Sequence, residues 1–205
     1  MLDRHLRPLI DPPLHALATA LDSTQISANA VTAVGAVAGL AAAVTIASGH
    51  FGVAIALIAI NRVLDGLDGA LAQLRGPTDF GGYLDAVGDF LFYAAVPVGF
   101  AFADPANALP AAVLLGAFMG TTASFLAFAA LAARRGLATS THGPKSLYYL
   151  TGLAEGTETI LAFVLACVFP EWFPLIAYLF AAVCLITVLG RLAIAKRLLA
   201  AAPRS

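Results

Sequence analysis

Six stretches of this chain stay apolar for about 20 residues, the length a helix needs to cross a bilayer, and nothing else in the sequence restricts the fold as much. In hydrocarbon no water is available to bond backbone N–H and C=O groups, so each stretch must close its hydrogen bonds within itself as a helix. The stretches fall at roughly 28–48, 51–74, 80–103, 107–133, 147–169 and 173–198. "SGHFG", "RGPTD", "ADPAN", "RRGLATSTHGPK" and "FPEWFP" separate them, all Gly, Pro or polar breaks. The expectation is an all-α integral membrane protein, a single six-span domain over 1–205. Residues 1–26 precede the first span. Within them "PLHALATALD" (13–22) puts Leu14, Leu17, Ala18 and Leu21 on one face, which predicts a short interfacial amphipathic helix. Composition agrees: 11% of residues are charged, against about 25% in a soluble domain, and mean hydropathy is +0.90. A net charge of −1 says nothing about nucleic acid or acidic partners, and no nucleic-acid partner is expected. Cys167 and Cys184 sit in apolar runs and read as small core or lipid-facing residues. The N-terminus has no apolar h-region, so no cleaved signal peptide is expected.

Lysine and arginine placement gives an orientation. Arg4 and Arg7 precede the first span, Arg75 lies between the second and third, and Arg134, Arg135 and Lys145 follow the fourth. Arg191, Lys196, Arg197 and Arg204 gather at the end, while the alternate loops carry no basic residue. Both termini and every second connection are therefore expected on the cytoplasmic side of a bacterial inner membrane.

Against this background "DGLDGALAQLRGPTDFGGYLDAVGDF" (65–90) stands out, with five of the nine aspartates. Asp65 and Asp68 are three apart near the end of the second span, and Asp85 and Asp89 four apart near the start of the third. Both spacings put a pair on one helix face. A tight connection with Gly76 and Pro77 makes the two helices antiparallel neighbours, so the pairs converge at one depth. A carboxylate inside a span costs roughly 2.5–3.5 kcal/mol, and four together cost on the order of 10 kcal/mol before repulsion. Nearby, only Arg62 and Arg75 are cationic. Four converging carboxylates with too few bases suit hard divalent cations, and two ions would neutralise all four. Asp79, in the turn, reads as a helix cap. Gly69 and Ala72 continue the Asp65/Asp68 face, and Gly81, Asp85 and Asp89 form an i, i+4, i+8 line. Small residues and carboxylates thus share a cleft.

These residues resemble the signature of the CDP-alcohol phosphotransferases, D-x-x-D-G-x-x-A-R-(x8)-G-x-x-x-D-x-x-x-D, at Asp65, Asp68, Gly69, Ala72, Gly81, Asp85 and Asp89. Gln73 stands where the family usually has Arg, and seven residues rather than eight separate it from Gly81. Arg75, two residues on, is a possible substitute. Upstream, "ISANAVT" is similar to the family's entry to its first span, with Ala28 in place of Pro and Asn29 and Thr32 retained. The resemblance implies a membrane enzyme of phospholipid biosynthesis. It would move a phosphatidyl or similar phosphoalcohol group from a CDP-alcohol, such as CDP-diacylglycerol, to an acceptor hydroxyl and release CMP. It implies that Asp65, Asp68 and Asp85 hold two Mg²⁺ or Mn²⁺ ions and the CDP group, with Gly69, Ala72, Gly81, Asn29 and Thr32 around the nucleotide. Asp89 would ligate metal and serve as the base. It also implies a possible homodimer.

The acceptor is less defined. Lys145, Arg134, Arg135 and Arg191 are the cations available to a phosphorylated acceptor, and Lys145 in "HGPKS" is the best placed. Glu155 and Glu158, three apart in the fifth span, would instead favour a hydroxyl-rich or cationic one. Two readings compete with the transferase. One is a divalent-cation or proton-coupled transporter, which the clustering of carboxylates at one interface and the lack of an inverted repeat disfavour. The other is an inactive relative of the family.

Overall fold

The computed structural model describes residues 3–135 and 153–201. All regular structure among them is helical. The helices are α1 (Asp3–Asp22), α2 (Ala28–Ala47), α3 (Phe51–Arg75), α4 (Asp79–Ala103), α5 (Ala108–Arg134), α6 (Gly156–Val168) and α7 (Phe173–Ala201), with single 3-10 turns leading into α5 and α7. Four helical runs are long and apolar enough to cross a membrane: Ala28–Ala47, Asp79–Ala103, Pro105–Arg134 and Pro170–Leu198. α3 has the length, but Arg62, Asp65 and Asp68 interrupt its apolar character.

Helix ends follow local chemistry. Ser27 caps α2, its side chain accepting from the Ala30 N–H. Thr78, not Asp79, caps α4, accepting from the Gly81 N–H at 3.0 Å. Asp79 is the first residue of α4, where its charge complements the helix dipole. Gly76, at φ +93°, makes the turn between α3 and α4.

Two further expectations need correction. The amphipathic segment expected at 13–22 is part of a helix beginning at Asp3, which carries Pro8, Pro12 and Pro13 inside it. Prolines read as breakers, yet their fixed φ is compatible with a helix once packing holds it. Leu14, Ala18 and Leu21 supply that packing against Leu67, Ala70 and Leu71 of α3, whereas Leu17 points outward. Leu14 fits because α3 has Gly66 opposite; a Cβ there would lie 2.5 Å from it. The fifth stretch, expected as a helix over 147–169, is helical only from Gly156. Residues 147–152 lie outside the described residues. At 153–155 the chain is not helical, and the Leu153 and Ala154 N–H groups donate to Thr187 Oγ1 at 3.1 and 3.0 Å. A side chain of α7 thus satisfies amides the helical ladder does not. At 13 residues α6 is shorter than a bilayer crossing.

α2 packs along α3 and α4, α5 along α7, and α4 against α5. The core is aromatic: Phe92, Phe100, Phe163 and Phe173 are buried, with Phe100 and Phe173 stacked at 4.2 Å. α4 therefore divides along its length, carboxylates in its first half and core rings in its second. Cys167 and Cys184 are free and buried, as expected.

Candidate active site

The turn at Gly76 folds α3 and α4 back on each other and brings the aspartates together. Thr32 and Gly35 of α2, Asn61, Asp65 and Asp68 of α3, and Asp85 and Asp89 of α4 line one small cavity of about 10 Å³. Carboxylate oxygens of Asp65, Asp85 and Asp89 lie within 4.8 Å of one another. Asp68 is 6% exposed, and its Oδ2 has no hydrogen-bond partner. An orphaned carboxylate oxygen beside three converging carboxylates fits a divalent ion, because leaving it bare costs the full desolvation penalty. The donors are all hard oxygens, the set that suits Mg²⁺ or Mn²⁺.

Among the described residues, one cation reaches the cluster. Arg62 donates from Nη2 to Asp89 Oδ1 at 2.7 Å and from Nη1 to Asp65 Oδ2 at 3.4 Å. Its Nε donates to Asn61 Oδ1 at 2.8 Å, and Asn61 Nδ2 donates to the Gly35 carbonyl of α2 at 2.8 Å. The guanidinium also lies over the rings of Phe92 (5.3 Å) and Tyr93 (6.0 Å). It is thus braced by all three helices of the cluster. Sequence reasoning counted Arg62 only as a nearby charge. The missed signal was "NR" in an apolar run, since intramembrane polar residues are functional by default.

The other expected nucleotide residues fall around the same end of α2 and α3. Thr32 lines the cavity. A Cβ at Gly81 would come within 2.8 Å of Asn29 Oδ1, so glycine there lets α4 approach α2. A Cβ at Gly69 would meet nothing within 4 Å, which leaves space beside Asp68. Gln73 is exposed. Arg75 does not take its place: it donates to Asp22 Oδ1 at 2.7 Å and to the Ile26 carbonyl, tying α3 to the segment before α2.

A second, larger cavity of about 400 Å³ lies between α4, α5, α6 and α7. Of the expected acceptor residues, Arg191 and Glu155 reach it. Glu155 immediately precedes α6 in extended backbone rather than lying within a helix, so it does not share a helical face with Glu158 as expected. Glu158, in the first turn of α6, is not among the cavity's lining residues. Arg134 and Arg135 are exposed at the end of α5 and do not line it either. Lys145 lies outside the described residues.

Residues 25–189 match the family described as CDP-alcohol phosphatidyltransferase. The chain belongs to that family. It is 52% identical over 192 residues, 93% of each chain, to the inner membrane protein YnjF of Escherichia coli. It is 34% identical over 97 residues, about half of each chain, to the archaetidylinositol phosphate synthase of Pyrococcus horikoshii. The phosphatidylinositol phosphate synthase PgsA1 of Mycobacterium tuberculosis with CDP-DAG bound superposes with a TM-score of 0.66. That comparison covers 89% of this chain and 92% of the other at 23% identity. The same enzyme with manganese and citrate gives 0.65, at 24% identity over 89% and 88%. At these identities the two structures speak for a shared fold.

Proposed function

We propose that this CDP-alcohol phosphatidyltransferase moves a phosphatidyl group from CDP-diacylglycerol, or a similar CDP-alcohol, to an acceptor hydroxyl and releases CMP. The observation that carries this is the convergence of all four signature aspartates on one cavity, with the Asp68 oxygen buried and unpaired. A fold shared with an enzyme crystallised with CDP-DAG, and in another structure with manganese, supports the donor and the metal.

Asp65, Asp68 and Asp85 would hold divalent ions, with Asp89 at their edge, and two ions would balance the four carboxylates. When bound, such ions neutralise the diphosphate oxygens and the leaving CMP. The protein does the rest. The space beside Gly69 and Ala72, together with Asn29, Thr32 and Gly81, receives the nucleotide. Asp89 takes the acceptor's hydroxyl proton as its oxygen bonds to the phosphatidyl phosphorus and the bond to CMP breaks. Arg62 positions Asp89 through the 2.7 Å ion pair.

In this reading six segments span the inner membrane, with α6 within the fifth, and both termini and the active site face the cytoplasm. Homodimerisation belongs to the same reading. The test is CMP release from CDP-diacylglycerol by the purified chain in detergent, across a panel of alcohols with Mg²⁺. Chelation should stop release, and Mg²⁺ or Mn²⁺ restore it. Metal-independent release would overturn the role given to the aspartates. CDP-diacylglycerol binding without release on any alcohol would mark an inactive relative.

A further inference from the structure

The turn between α1 and α2 passes through Gln25 at φ +61°, the one non-glycine residue in the left-handed region among the described residues. L side chains disfavour that region because Cβ crowds the following carbonyl. Such residues persist where their surroundings hold them. Here the hold comes from one side chain of another helix. Arg75, the last residue of α3, donates from Nε to Asp22 Oδ1 at 2.7 Å and from Nη2 to the Asp22 carbonyl at 3.0 Å. Its Nη1 donates to the Ile26 carbonyl, and its Nη2 lies 3.5 Å from the Leu21 carbonyl. The acceptors thus lie on both sides of Gln25. The Asp22 side chain is about half exposed, and an exposed ion pair by itself is worth little. What counts is the planar fork, which fixes backbone before and after the strained residue at once.

The held turn decides where α2 begins. Ile26 is followed directly by Ser27, the cap of α2, so the place of the Ile26 carbonyl sets the start and the rotation of that helix. Side chains on a helix turn with it. Two residues near the start of α2 face the site. Asn29 Oδ1 lies where a Cβ at Gly81 would come within 2.8 Å, at the beginning of α4. Thr32 is buried and lines the carboxylate cavity with Asp68 and Asp85. The carboxylates hang on other contacts. The turn at Gly76 joins α3 to α4, and Asn61 ties α3 to the Gly35 carbonyl further along α2.

We infer that Arg75 is a positioning residue for the donor: by latching the strained turn at Gln25 it fixes the start of α2, so that Asn29 and Thr32 meet the nucleotide of the CDP-alcohol. Arg75 acts through the backbone of residues 21–26 and not by contact with the nucleotide. The inference rests on the transferase reading above, which gives Asn29 and Thr32 to the nucleotide.

The experiment measures two affinities of the full chain in detergent: CDP-diacylglycerol by calorimetric titration, and Mn²⁺ by electron paramagnetic resonance without the lipid. Arg75→Gln should weaken CDP-diacylglycerol binding about tenfold, while Mn²⁺ affinity stays within about twofold. Glycine adopts positive φ freely. Adding Gln25→Gly to Arg75→Gln should therefore restore most of the lost affinity, and Gln25→Gly alone should bind as the wild type does. Arg75→Lys should bind about as weakly as Arg75→Gln, since a single ammonium cannot span both sides of Gln25. Where Arg75→Gln does not fold, Arg75→Lys with and without Gln25→Gly makes the same comparison. Unchanged CDP-diacylglycerol affinity in Arg75→Gln overturns the inference, even with a lowered melting temperature. So does a loss that Gln25→Gly leaves in place, or wild-type affinity in Arg75→Lys. A parallel fall in Mn²⁺ affinity marks a general loosening and overturns it as well. No CDP-diacylglycerol binding by the wild-type chain overturns the transferase reading and this inference together.

Discussion

Helix α4 lines two cavities of opposite character. On one side Asp85 and Asp89 close a space of about 10 Å³ against α2 and α3. On the other, Phe90 and Tyr93 face about 400 Å³ bounded by α5, α7 and the chain entering α6. The first is small because glycines such as Gly35 and Gly81 let the helices approach closely. The second is roomier and walled mostly by rings and other apolar side chains. Adjacent positions on one helix, 89 and 90, serve the two. The carboxylates and the rings thus belong to different cavities, and their residues can be altered separately.

The largest expected break of that division is Asp89→Asn. Transfer should fall about 10²–10⁴-fold, the usual worth of a positioned base. CDP-diacylglycerol binding should survive, because Asp65, Asp68 and Asp85 remain. Near-wild-type CMP release would remove Asp89 as the base.

Arg62→Met tests the residue that touches both sides. The guanidinium competes with metal for Asp65 and Asp89 and also fixes Asp89. Removing it should tighten Mn²⁺ binding, measured by electron paramagnetic resonance, while transfer slows about tenfold or more. A merely structural role would lower both, so weaker Mn²⁺ binding would contradict positioning.

Thr187→Val acts on the larger cavity alone. It strips Oγ1 from the Leu153 and Ala154 amides and should cost about 1–3 kcal/mol in thermal unfolding. Mn²⁺ affinity should hold while the acceptor KM rises as Glu155 loses its support. A fall in Mn²⁺ affinity would show that the two cavities are not independent. The smallest effect belongs to Arg134→Ala. Arg134 is exposed and outside the cavity, so the acceptor KM should change by less than about twofold. A large rise would restore it as an acceptor contact.

The carboxylate side was legible in the sequence for a physical reason. Its chemistry lies in 25 consecutive residues, Asp65 to Asp89, whose helical spacing and single turn fix which faces meet. Asn29 and Thr32 were legible only through family resemblance, since nothing local ties them to residues 30 or more positions away. Arg62 was visible as a charge but not as a partner, because a side chain's reach to the neighbouring helix is not written in spacing. Reading Arg75 as a replacement for the missing arginine at Gln73 failed on the same point. The two positions are close in sequence, but Arg75 faces Asp22.

Sequence by itself determined that the chain is helical and apolar, where most of its long helices break, and that four carboxylates share one end of two neighbouring helices. Backbone satisfaction in hydrocarbon and the helical repeat are local constraints, acting within a few residues. The tertiary structure decided that α1 packs on α3 and that the segment before α6 hangs from Thr187. It also decided that residues from 90 to 191 close around one ring-lined cavity, with Arg191 and Glu155 both in it. Those outcomes depend on which helix faces pack together, and that is settled by side-chain fit between elements far apart in the chain.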